Sequence, residues 1–305
     1  MTRLEPGDPA PLFVGRTTDG EDWWLSAAAG DHVVLRFAHN TVTVGRPGQE
    51  RSIVDDEGLI ARRYGISGEH ATVVLDGRLR VLAVLDDDTR LAEILRTPPD
   101  DTPAPILVVP RVFEPDFCVR LVAEYDRVGG EDSGFVRDDE HGRTVGVLDH
   151  THKRRSDLVL TDQELRTGMR ERIERRLLPE IRRAFQFTAT RIERYLLSSY
   201  EVAGHFRPHR DNTTKGTAHR KFAVTINLNS DYTGGDLRFP EFGQRSYRGP
   251  LGGAIVFSCS LLHEATRVTR GTRYAFLPFF YDEAAAKLRE QNLKFVDTVS
   301  PTETP

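Results

Sequence analysis

Three side chains in the second half of the chain have the types and the spacing of a metal site. His209 and Asp211 stand two positions apart in the segment Phe206-Arg-Pro-His209-Arg-Asp211, and His263 follows much later. Residues two apart in a strand project from the same face, so this imidazole and this carboxylate can point at one centre. A His-x-Asp pair alone is a weak signal, because a chain with 10 His residues contains such a pair by chance. The surrounding elements therefore decide its meaning.

The surrounding sequence is a series of short strand-like segments. Aromatic and β-branched residues predict strands over residues 195–209, 222–229, 236–239, 254–258 and 273–280, with glycine turns between several of them. Short strands with close turns are typical of an antiparallel barrel or jelly roll. In such a fold a late strand can bring His263 to the early pair.

Two His residues and one carboxylate leave three coordination positions of a metal open, which suits non-haem Fe(II) oxygen chemistry. A structural zinc ion would normally need four protein ligands, Cys in particular, and the chain has only 2 Cys. His205 leaves a His-x-x-x-His zinc site or a supporting role open, since it stands four residues before His209. His150 and His152 form another metal pair in principle, although we expect them to be solvated. For His263 the alternative is a buried, hydrogen-bonded imidazole without metal.

Arg273 is the candidate anchor for an organic co-substrate. Thr269-Arg-Gly271 indicates a turn, so the chain is expected to leave the metal at His263, reverse, and return Arg273 beside it. A guanidinium can hold a carboxylate through two parallel hydrogen bonds. A salt bridge at the end of the barrel is the alternative, because Arg is abundant in this region.

From about Pro110 to Asp282 the chain resembles the 2-oxoglutarate- and Fe(II)-dependent dioxygenases of the prolyl 4-hydroxylase type. The resemblance is carried by residues 111–121, Tyr200, Gly204-His-Phe-Arg-Pro-His209-Arg-Asp211-Asn, residues 227–229, Gly234-Gly-Asp-Leu-Arg-Phe-Pro240, His263 and Arg273. Together these motifs are far more specific than any one of them.

The resemblance implies an α+β double-stranded β-helix (jelly-roll) domain in which His209, Asp211 and His263 bind Fe(II). It implies that Arg273 holds the distal carboxylate of 2-oxoglutarate and that Tyr200 lines the same pocket; a core tyrosine is the alternative for Tyr200. 2-Oxoglutarate and O2 would fill the open positions, and the products would be succinate, CO2 and a hydroxylated substrate. Ascorbate is a further candidate cofactor. Asp211 supplies the carboxylate that the halogenase branch lacks, so we expect hydroxylation.

Residues 1–98 resemble a peroxiredoxin, which implies an α/β thioredoxin-like domain. The resemblance is carried by residues 7–13, 18–20, 25–26 and 32–37. A helix is predicted over Asp56–Tyr64 and two strands within Ala71–Leu85. A peroxiredoxin needs a thiolate soon after Phe37, and residues 38–49 contain no Cys. We interpret this domain as redox-inactive and retained for dimerisation, substrate recruitment or packing.

The length of 305 residues predicts two domains. We divide the chain into a thioredoxin-like domain over 1–98, a Pro-rich linker with an entry strand over 99–109, a dioxygenase domain over 110–295 and a flexible tail over 296–305. Helices are predicted over 116–127, from a capping box at 161–164 through Leu177, over 181–185 and over 283–294. Gly129–Asp157 is a candidate substrate lid. Lys215, His219 and Arg220 are candidates for contact with an anionic group of the substrate.

The composition is that of a globular protein, with 38% hydrophobic residues and a net charge of −4. Nothing in this balance favours nucleic acid as a partner. No signal region, membrane span or disulfide framework is evident, so a cytoplasmic location without a membrane partner is expected. The expected substrate is a peptide, an amino acid or a natural product, and the N-terminal domain is a candidate homodimer interface. The alternatives are a zinc or cupin-like metalloprotein and a catalytically silent scaffold.

Overall fold

The computed structural model describes residues 3–46, 48–67, 70–98, 102–139 and 141–296. The chain divides into two compact units. One comprises residues 1–104 with 239–245, and the other comprises residues 105–238 with 246–305. Of the predicted tail over 296–305, residues 297–305 lie outside the described residues. None of the helices in the described ranges has the length and apolar composition required to cross a membrane.

The N-terminal unit is built around one antiparallel sheet. Its described elements are β1 (Val14–Arg16), β2 (Asp22–Trp24), β3 (Val33–Ala38), β4 (Thr41–Arg46), β5 (Gln49–Val54), α1 (Leu59–Arg63), β6 (Ala71–Leu75), β7 (Val81–Leu85) and α2 (Leu91–Ile94). Five strands form the sheet in the order β5-β4-β3-β6-β7, and all of these pairings are antiparallel. Strands β1 and β2 pair with each other.

The thioredoxin-like arrangement predicted for this unit is not confirmed. An α/β domain alternates strands with helices around a parallel sheet, whereas the residues that follow β3 form the hairpin strands β4 and β5. The segment Thr41-Val-Thr-Val44 alternates β-branched residues, which favour a strand, and Val42 and Val44 are buried. The predicted helix and the predicted strand pair are present as α1 and as β6 with β7.

The C-terminal unit contains most of the strands and the longer helices. Its described elements are β8 (Leu107–Val109), α3 (Pro115–Val128), β9 (Glu131–Asp132), β10 (Phe135–Asp138), β11 (Thr144–Val147), β12 (Lys153–Arg154), β13 (Ser156–Val159), α4 (Gln163–Arg176), α5 (Leu178–Phe185), β14 (Arg191–Ile192), β15 (Leu196–Tyr200), β16 (His205–His209), β17 (Phe222–Asn227), β18 (Thr233–Gly234), β19 (Leu237–Arg238), β20 (Ser246–Tyr247), β21 (Ala254–Ser258), β22 (His263–Ala265), β23 (Val268–Arg270), β24 (Arg273–Phe276), β25 (Phe279–Tyr281) and α6 (Glu283–Asn292).

Two antiparallel sheets carry this unit. The first has the order β14-β25-β17-β24-β15-β13-β9, with β21 paired to β17 and β8 paired to β21. The second has the order β12-β16-β22-β19-β20. From β15 onward the chain passes repeatedly from one sheet to the other: β15, β17, β21 and β24 belong to the first, and β16, β19 and β22 to the second. This alternation is the winding of a double-stranded β-helix, as predicted.

Helices α3 and α4 cover the first sheet. Leu165, Met169 and Ile173 of α4 are buried in one core cluster with Ile226 and Phe276 of the sheet. The apolar stripe predicted at steps of four therefore packs as expected. The start of α4 differs by one residue from the predicted capping box. Asp162 caps the helix, and its carboxylate accepts a hydrogen bond from the Leu165 amide at 2.8 Å.

Two predicted strands are each interrupted. Residues 195–209 form β15 and β16 with a turn between them, in which the Gly204 amide donates to the Glu201 carbonyl at 2.7 Å and Ala203 adopts a φ of 68°. This turn is needed because β15 and β16 belong to different sheets. Residues 273–280 are split into β24 and β25 around Pro278, which cannot donate a backbone hydrogen bond to a neighbouring strand.

Candidate metal centre and co-substrate pocket

His209, Asp211 and His263 converge within the C-terminal unit. His209 ends β16, His263 begins β22, and the two residues are paired across the second sheet. One ligand atom from each of the three residues can be chosen so that all lie within 4.8 Å of one another. Nε2 of His209 is 3.6 Å from Oδ1 of Asp211, and Nε2 of His263 is 3.3 Å from Oδ2 of the same carboxylate. The structure thus brings together the three residues that the sequence singled out.

A bulge in β16 sets the direction of His209. The register with β22 shifts between Phe206 and His209, and Pro208 lies in this interval. Proline within a sheet is found at such irregularities because it lacks a backbone donor. The bulge places the Phe206 ring face to face with the His209 imidazole, with 3.4 Å between ring centres. Packing therefore fixes the plane of one candidate ligand.

Both imidazoles have their Nδ1 atoms engaged by main-chain carbonyls. Nδ1 of His209 donates to the Arg207 carbonyl at 2.7 Å, and Nδ1 of His263 donates to the Leu261 carbonyl at 3.0 Å. Because a carbonyl oxygen only accepts, each Nδ1 must carry a proton, and Nε2 is the nitrogen of each ring that faces Asp211. Two imidazole nitrogens and one carboxylate are a donor set that fits a divalent transition metal with further positions open.

The protonation states also suit a metal. Burial, together with the neighbouring His263, lowers the pKa of His209 to about 4, so this imidazole is neutral at neutral pH. Burial opposes the charge of Asp211, but the adjacent His263 and His209 outweigh it and lower the pKa of the carboxyl group below its ordinary value. Neutral imidazoles and an ionised carboxylate are the forms that bind metal ions.

Arg273 begins β24 and is buried, with 3% of its surface exposed. Its Nη2 donates to Oγ1 of Thr225 at 2.8 Å and to Oδ1 of Asn227 at 3.3 Å. Its guanidinium carbon lies 5.2 Å from the centre of the Tyr200 ring. In the ranges that the structure describes, no carboxylate forms an ion pair with Arg273. A buried cation with only neutral acceptors is a favourable site for a ligand carboxylate.

The turn before Arg273 forms as predicted, with a φ of 72° at Gly271. However, Arg273 does not return along the strand of His263. β22 lies in the second sheet and β24 in the first, so the two residues come from different walls of the double-stranded β-helix.

Tyr200 lies beside Arg273 and is also buried. The two residues are paired across β15 and β24. The Tyr200 hydroxyl accepts a hydrogen bond from Nη1 of Arg155 at 3.0 Å. Its own proton therefore remains able to donate to a ligand. Arg155 in turn donates from Nη2 to Asp157 at 2.9 Å, which holds the guanidinium in place.

The segment Gly129–Asp157 is more ordered than the loop that its composition indicated. It contains the hairpin of β10 and β11. The His152 ring contacts Phe135 of this hairpin and Phe206 of β16, with 4.4 and 5.6 Å between ring centres. The segment is thus packed next to the ring that supports His209. Its role as a substrate lid remains a prediction.

His205, His150 and Lys215, which are further candidates from the sequence, have partners other than the metal group. Both ring nitrogens of His205 face main-chain carbonyls, those of Ala203 at 3.0 Å and Thr151 at 3.2 Å. Nε2 of His150 contacts Asp132 at 2.6 Å. Lys215 places its ammonium 4.2 Å from the centre of the Phe295 ring.

His219 and Arg220 both contact a buried carboxylate, that of Glu193. Sequence reasoning missed Glu193, because a single acidic residue in an Arg-rich segment carries no distinguishing pattern. Only the three-dimensional structure connects it to the loop that carries His219 and Arg220.

The segment that carries this site is similar to a known protein family. Residues 195–281 match the sequence profile of the 2OG-Fe(II) oxygenase superfamily. This stretch is therefore similar to 2OG-Fe(II) oxygenases. It includes the three candidate metal ligands, Arg273 and Tyr200.

Curated relatives match a similar part of the chain. A PKHD-type hydroxylase of Synechococcus sp. (strain JA-2-3B'a(2-13)) is 30% identical over 131 residues, which cover 39% of this chain and 58% of the relative. A PKHD-type hydroxylase of Pseudomonas fluorescens (strain Pf0-1) is 32% identical over 101 residues, which cover 30% of this chain and 44% of the relative. The match thus spans only about half the length of these relatives.

Among solved structures, a Pseudomonas putida prolyl-4-hydroxylase is similar at 16% identity and a TM-score of 0.45. The similarity covers 58% of this chain and 92% of that one.

Proposed function

We propose that the chain is a 2-oxoglutarate- and Fe(II)-dependent dioxygenase that hydroxylates an unactivated C–H bond of a peptide, an amino acid or a natural product. The products would be succinate, CO2 and the hydroxylated substrate. The observation that carries the proposal is the convergence of His209, Asp211 and His263, whose ligand atoms lie within 4.8 Å of one another in a segment similar to 2OG-Fe(II) oxygenases.

In this proposal each residue has a defined task. Nε2 of His209, Nε2 of His263 and the Asp211 carboxylate would hold ferrous iron on one side and leave its other positions open. When bound, ferrous iron with 2-oxoglutarate and O2 supplies the oxidising chemistry. The metal carboxylate of Asp211 favours hydroxylation over halogenation.

Arg273 would bind the distal carboxylate of 2-oxoglutarate. Its contacts with Thr225 and Asn227 keep the guanidinium oriented without neutralising its charge. Tyr200 would donate its hydroxyl proton in the same pocket, because Arg155 already donates to its oxygen. These groups select for a carboxylate and fix its position before the reaction begins.

The N-terminal unit would serve a role other than redox catalysis. Residues 38–49 carry no Cys, and both cysteines of the chain, Cys118 and Cys259, belong to the C-terminal unit. We propose dimerisation or substrate recruitment for this unit, in a cytoplasmic enzyme that acts on a peptide or a small molecule. Ascorbate would serve as a reductant that maintains the ferrous state.

The test is release of succinate from 2-oxoglutarate by the full-length protein loaded with ferrous iron. Asp211→Ala removes one of three ligands, so we expect it to lower iron-dependent succinate release by about a hundredfold or more, given that even supporting residues of a metal site change activity by about 10–100-fold. Asp116→Ala, at an exposed position of α3, is the matched control and should retain full release.

Two results would contradict the proposal. Succinate release that persists in Asp211→Ala would remove the metal site from the reaction. Zinc that stays at full occupancy after iron loading would favour a zinc metalloprotein.

A further inference from the structure

Arg194 faces the interior of the double-stranded β-helix, and its Nε has no hydrogen-bond partner in the part of the chain that the structure describes. Arg194 precedes β15, on which Ser198 and Tyr200 follow at steps of two and therefore share its face. Ser198 donates to Asp157, and Tyr200 contacts Arg273, so this face is the interior one. Arg155 connects the two arginines, because it donates to the Tyr200 hydroxyl at 3.0 Å and also interacts electrostatically with Arg194.

Nε of Arg194 has no acceptor among the described residues. Its Nε is shielded from solvent without a hydrogen-bond partner, and no hydrogen bond or ion pair of this side chain is found within the described ranges. Arg194 lies beside Arg220, since both guanidinium carbons lie over the Phe279 ring, at 4.9 and 4.1 Å from its centre. The carboxylate of the adjacent residue, Glu193, accepts from Nε and Nη2 of Arg220 at 2.8 and 2.6 Å. It is thus already engaged by another cation.

A second buried polar atom in the same group is also without a partner. His219 is 2% exposed, and its Nε2 contacts Glu193 at 3.0 Å. Its Nδ1 has no hydrogen-bond partner in the part of the chain that the structure describes. Unpaired buried polar atoms are rare in folded proteins, and each points to an unseen ligand, a water molecule or a functional role.

Charged groups of both signs surround Arg194. Three guanidinium groups, those of Arg155, Arg194 and Arg220, and the Lys153 ammonium interact with three carboxylates, those of Asp157, Glu193 and Asp211. Burial, followed by the charge of Arg220, lowers the pKa of Arg194 to about 10, so it remains a cation at neutral pH. A half-buried cation of this kind is stabilised by a bound anion.

The position of this group relates it to the metal ligands. Nη1 of Arg220 donates to the main-chain carbonyl of Asp211 at 3.3 Å. An anion held by Arg194 and Arg220 would therefore lie next to the candidate metal centre. The distal carboxylate of 2-oxoglutarate has its own cation in Arg273, at the other end of β15.

We propose that Arg194 binds a carboxylate of the substrate, with Arg220 beside it. The substrate class is then a carboxylic acid whose reacting carbon lies near its carboxylate: a free amino acid or the C-terminal residue of a peptide. An internal residue of a polypeptide lacks this group. This inference rests on the proposed function, because it assigns the substrate of the same metal centre.

The experiment compares matched ligands that differ only in the carboxylate. Binding of the common amino acids, of the corresponding carboxamides and of tripeptides that end in the same residues is measured by calorimetry on the full-length protein. Succinate release is measured in parallel with each compound. We expect the best-binding amino acid or tripeptide to bind about 10–100-fold more tightly than its carboxamide, the usual value of a charge-assisted hydrogen-bonded contact. The comparison of free amino acids with tripeptides separates the two sources of the carboxylate.

Variants then assign this preference to Arg194. Arg194→Met should bring the ratio of carboxylate to carboxamide affinity close to one, and Arg194→Lys should restore part of it. Arg175→Met, at an exposed position of α4, is the control and should keep the wild-type ratio. Thermal unfolding of each variant identifies any loss of folding. If Arg194→Met does not fold, the ratio of carboxylate to carboxamide affinity is compared between Arg194→Lys and the wild type instead.

The outcomes distinguish the inference from the proposed function. Equal binding of carboxylate and carboxamide, binding of no compound in the panel, or a preference that survives in Arg194→Met would each overturn the inference. If succinate is released although one of these outcomes is observed, the proposed function remains intact. Conversely, an Arg194-dependent preference without succinate release from any compound would support the anion site and contradict the proposed function.

Discussion

At the scale of single residues, the sequence pointed to the side chains that meet and did not reveal what holds them. His209, Asp211 and His263 could be singled out because metal binding restricts the residue types and one short spacing. The contacts that orient them could not. The Arg207 and Leu261 carbonyls belong to the main chain, which every residue type supplies, so no letter of the sequence marks them.

Arg194 illustrates the same limit for a charged residue. Its significance comes from an Nε without a hydrogen-bond partner among the described residues, and a missing contact leaves no trace in a sequence rich in Arg. Arg273, by contrast, was found through its position after a turn and through the family resemblance.

The Arg273 assignment leads to a prediction about co-substrate affinity. Arg273→Ala removes a buried cation whose acceptors, Thr225 and Asn227, are neutral, so a ligand carboxylate loses its only charged partner at this position. We expect the apparent affinity for 2-oxoglutarate to fall about 10–100-fold, with Arg273→Lys intermediate. The measurement is a 2-oxoglutarate titration of succinate release. Arg270→Ala, on the exposed end of β23, is the control, and an unchanged affinity in Arg273→Ala would refute the pocket assignment.

At the scale of elements, periodic patterns located the helices better than the strand breaks. The stripe of α4 was readable because Leu165, Met169 and Ile173 all face one core. The division between β15 and β16 was not, since alternating residues look the same in one long strand and in two short ones. The break falls at Ala203, which adopts a left-handed φ of 68° that a non-glycine sequence does not announce.

The contact between α3 and α4 provides a test of pH dependence. Glu114, at the N-terminus of α3, accepts from Nε of Arg172 at 2.6 Å and also from Arg176, both on α4. Hydrogen bonds from Arg176 and Arg172 lower the pKa of Glu114 from 4.5 to about 2. A carboxyl group with a lowered pKa stabilises the fold above its unfolded-state pKa and loses this contribution as the pH falls toward the folded-state value.

We therefore expect Glu114→Gln to reduce the free energy of unfolding at pH 7 by about 0.5–1 kcal/mol, a modest value because the ion pair is partly exposed. The difference from the wild type should shrink as the pH falls from about 4.5 toward about 2. Denaturant unfolding at several pH values measures it, as far into this range as the fold persists. Glu171→Gln, at an exposed position of α4, is the control. A constant difference at all pH values would show that the pair does not act through its charge.

At the scale of the whole molecule, the sequence anticipated two parts but not the topology of the first. The resemblance of residues 7–37 to a peroxiredoxin implies a thioredoxin-like domain, yet the segment that follows β3 forms the hairpin of β4 and β5. The β-branched residues of Thr41–Val44 favour a strand, and this local preference agrees with the hairpin instead of the fold that the resemblance implied. The contact-based units also place residues 239–245 with the N-terminal part of the chain, which no local pattern could indicate.

The two cysteines give a prediction for the intact protein. Cys118 and Cys259 are fully buried; burial raises the pKa of Cys118 to about 11 and raises that of Cys259 well above its ordinary value. Because the thiolate is the reactive form, we expect a thiol reagent such as DTNB to label neither residue in the native protein within minutes. After unfolding in guanidinium chloride it should label both. Rapid labelling of a native thiol would contradict this burial.

The hydrogen bonds that aim the two metal-facing imidazoles are short-range along the chain. His209 and His263 each contact the peptide carbonyl two residues upstream, so each imidazole is oriented by a main-chain group of its own short segment. Mutation at position 207 or 261 changes a side chain and leaves that carbonyl in place. Substitutions at the neighbouring positions can therefore accumulate without changing the orientation of the imidazole. The side chains around the metal centre can vary between related proteins while the geometry of the ligands is kept.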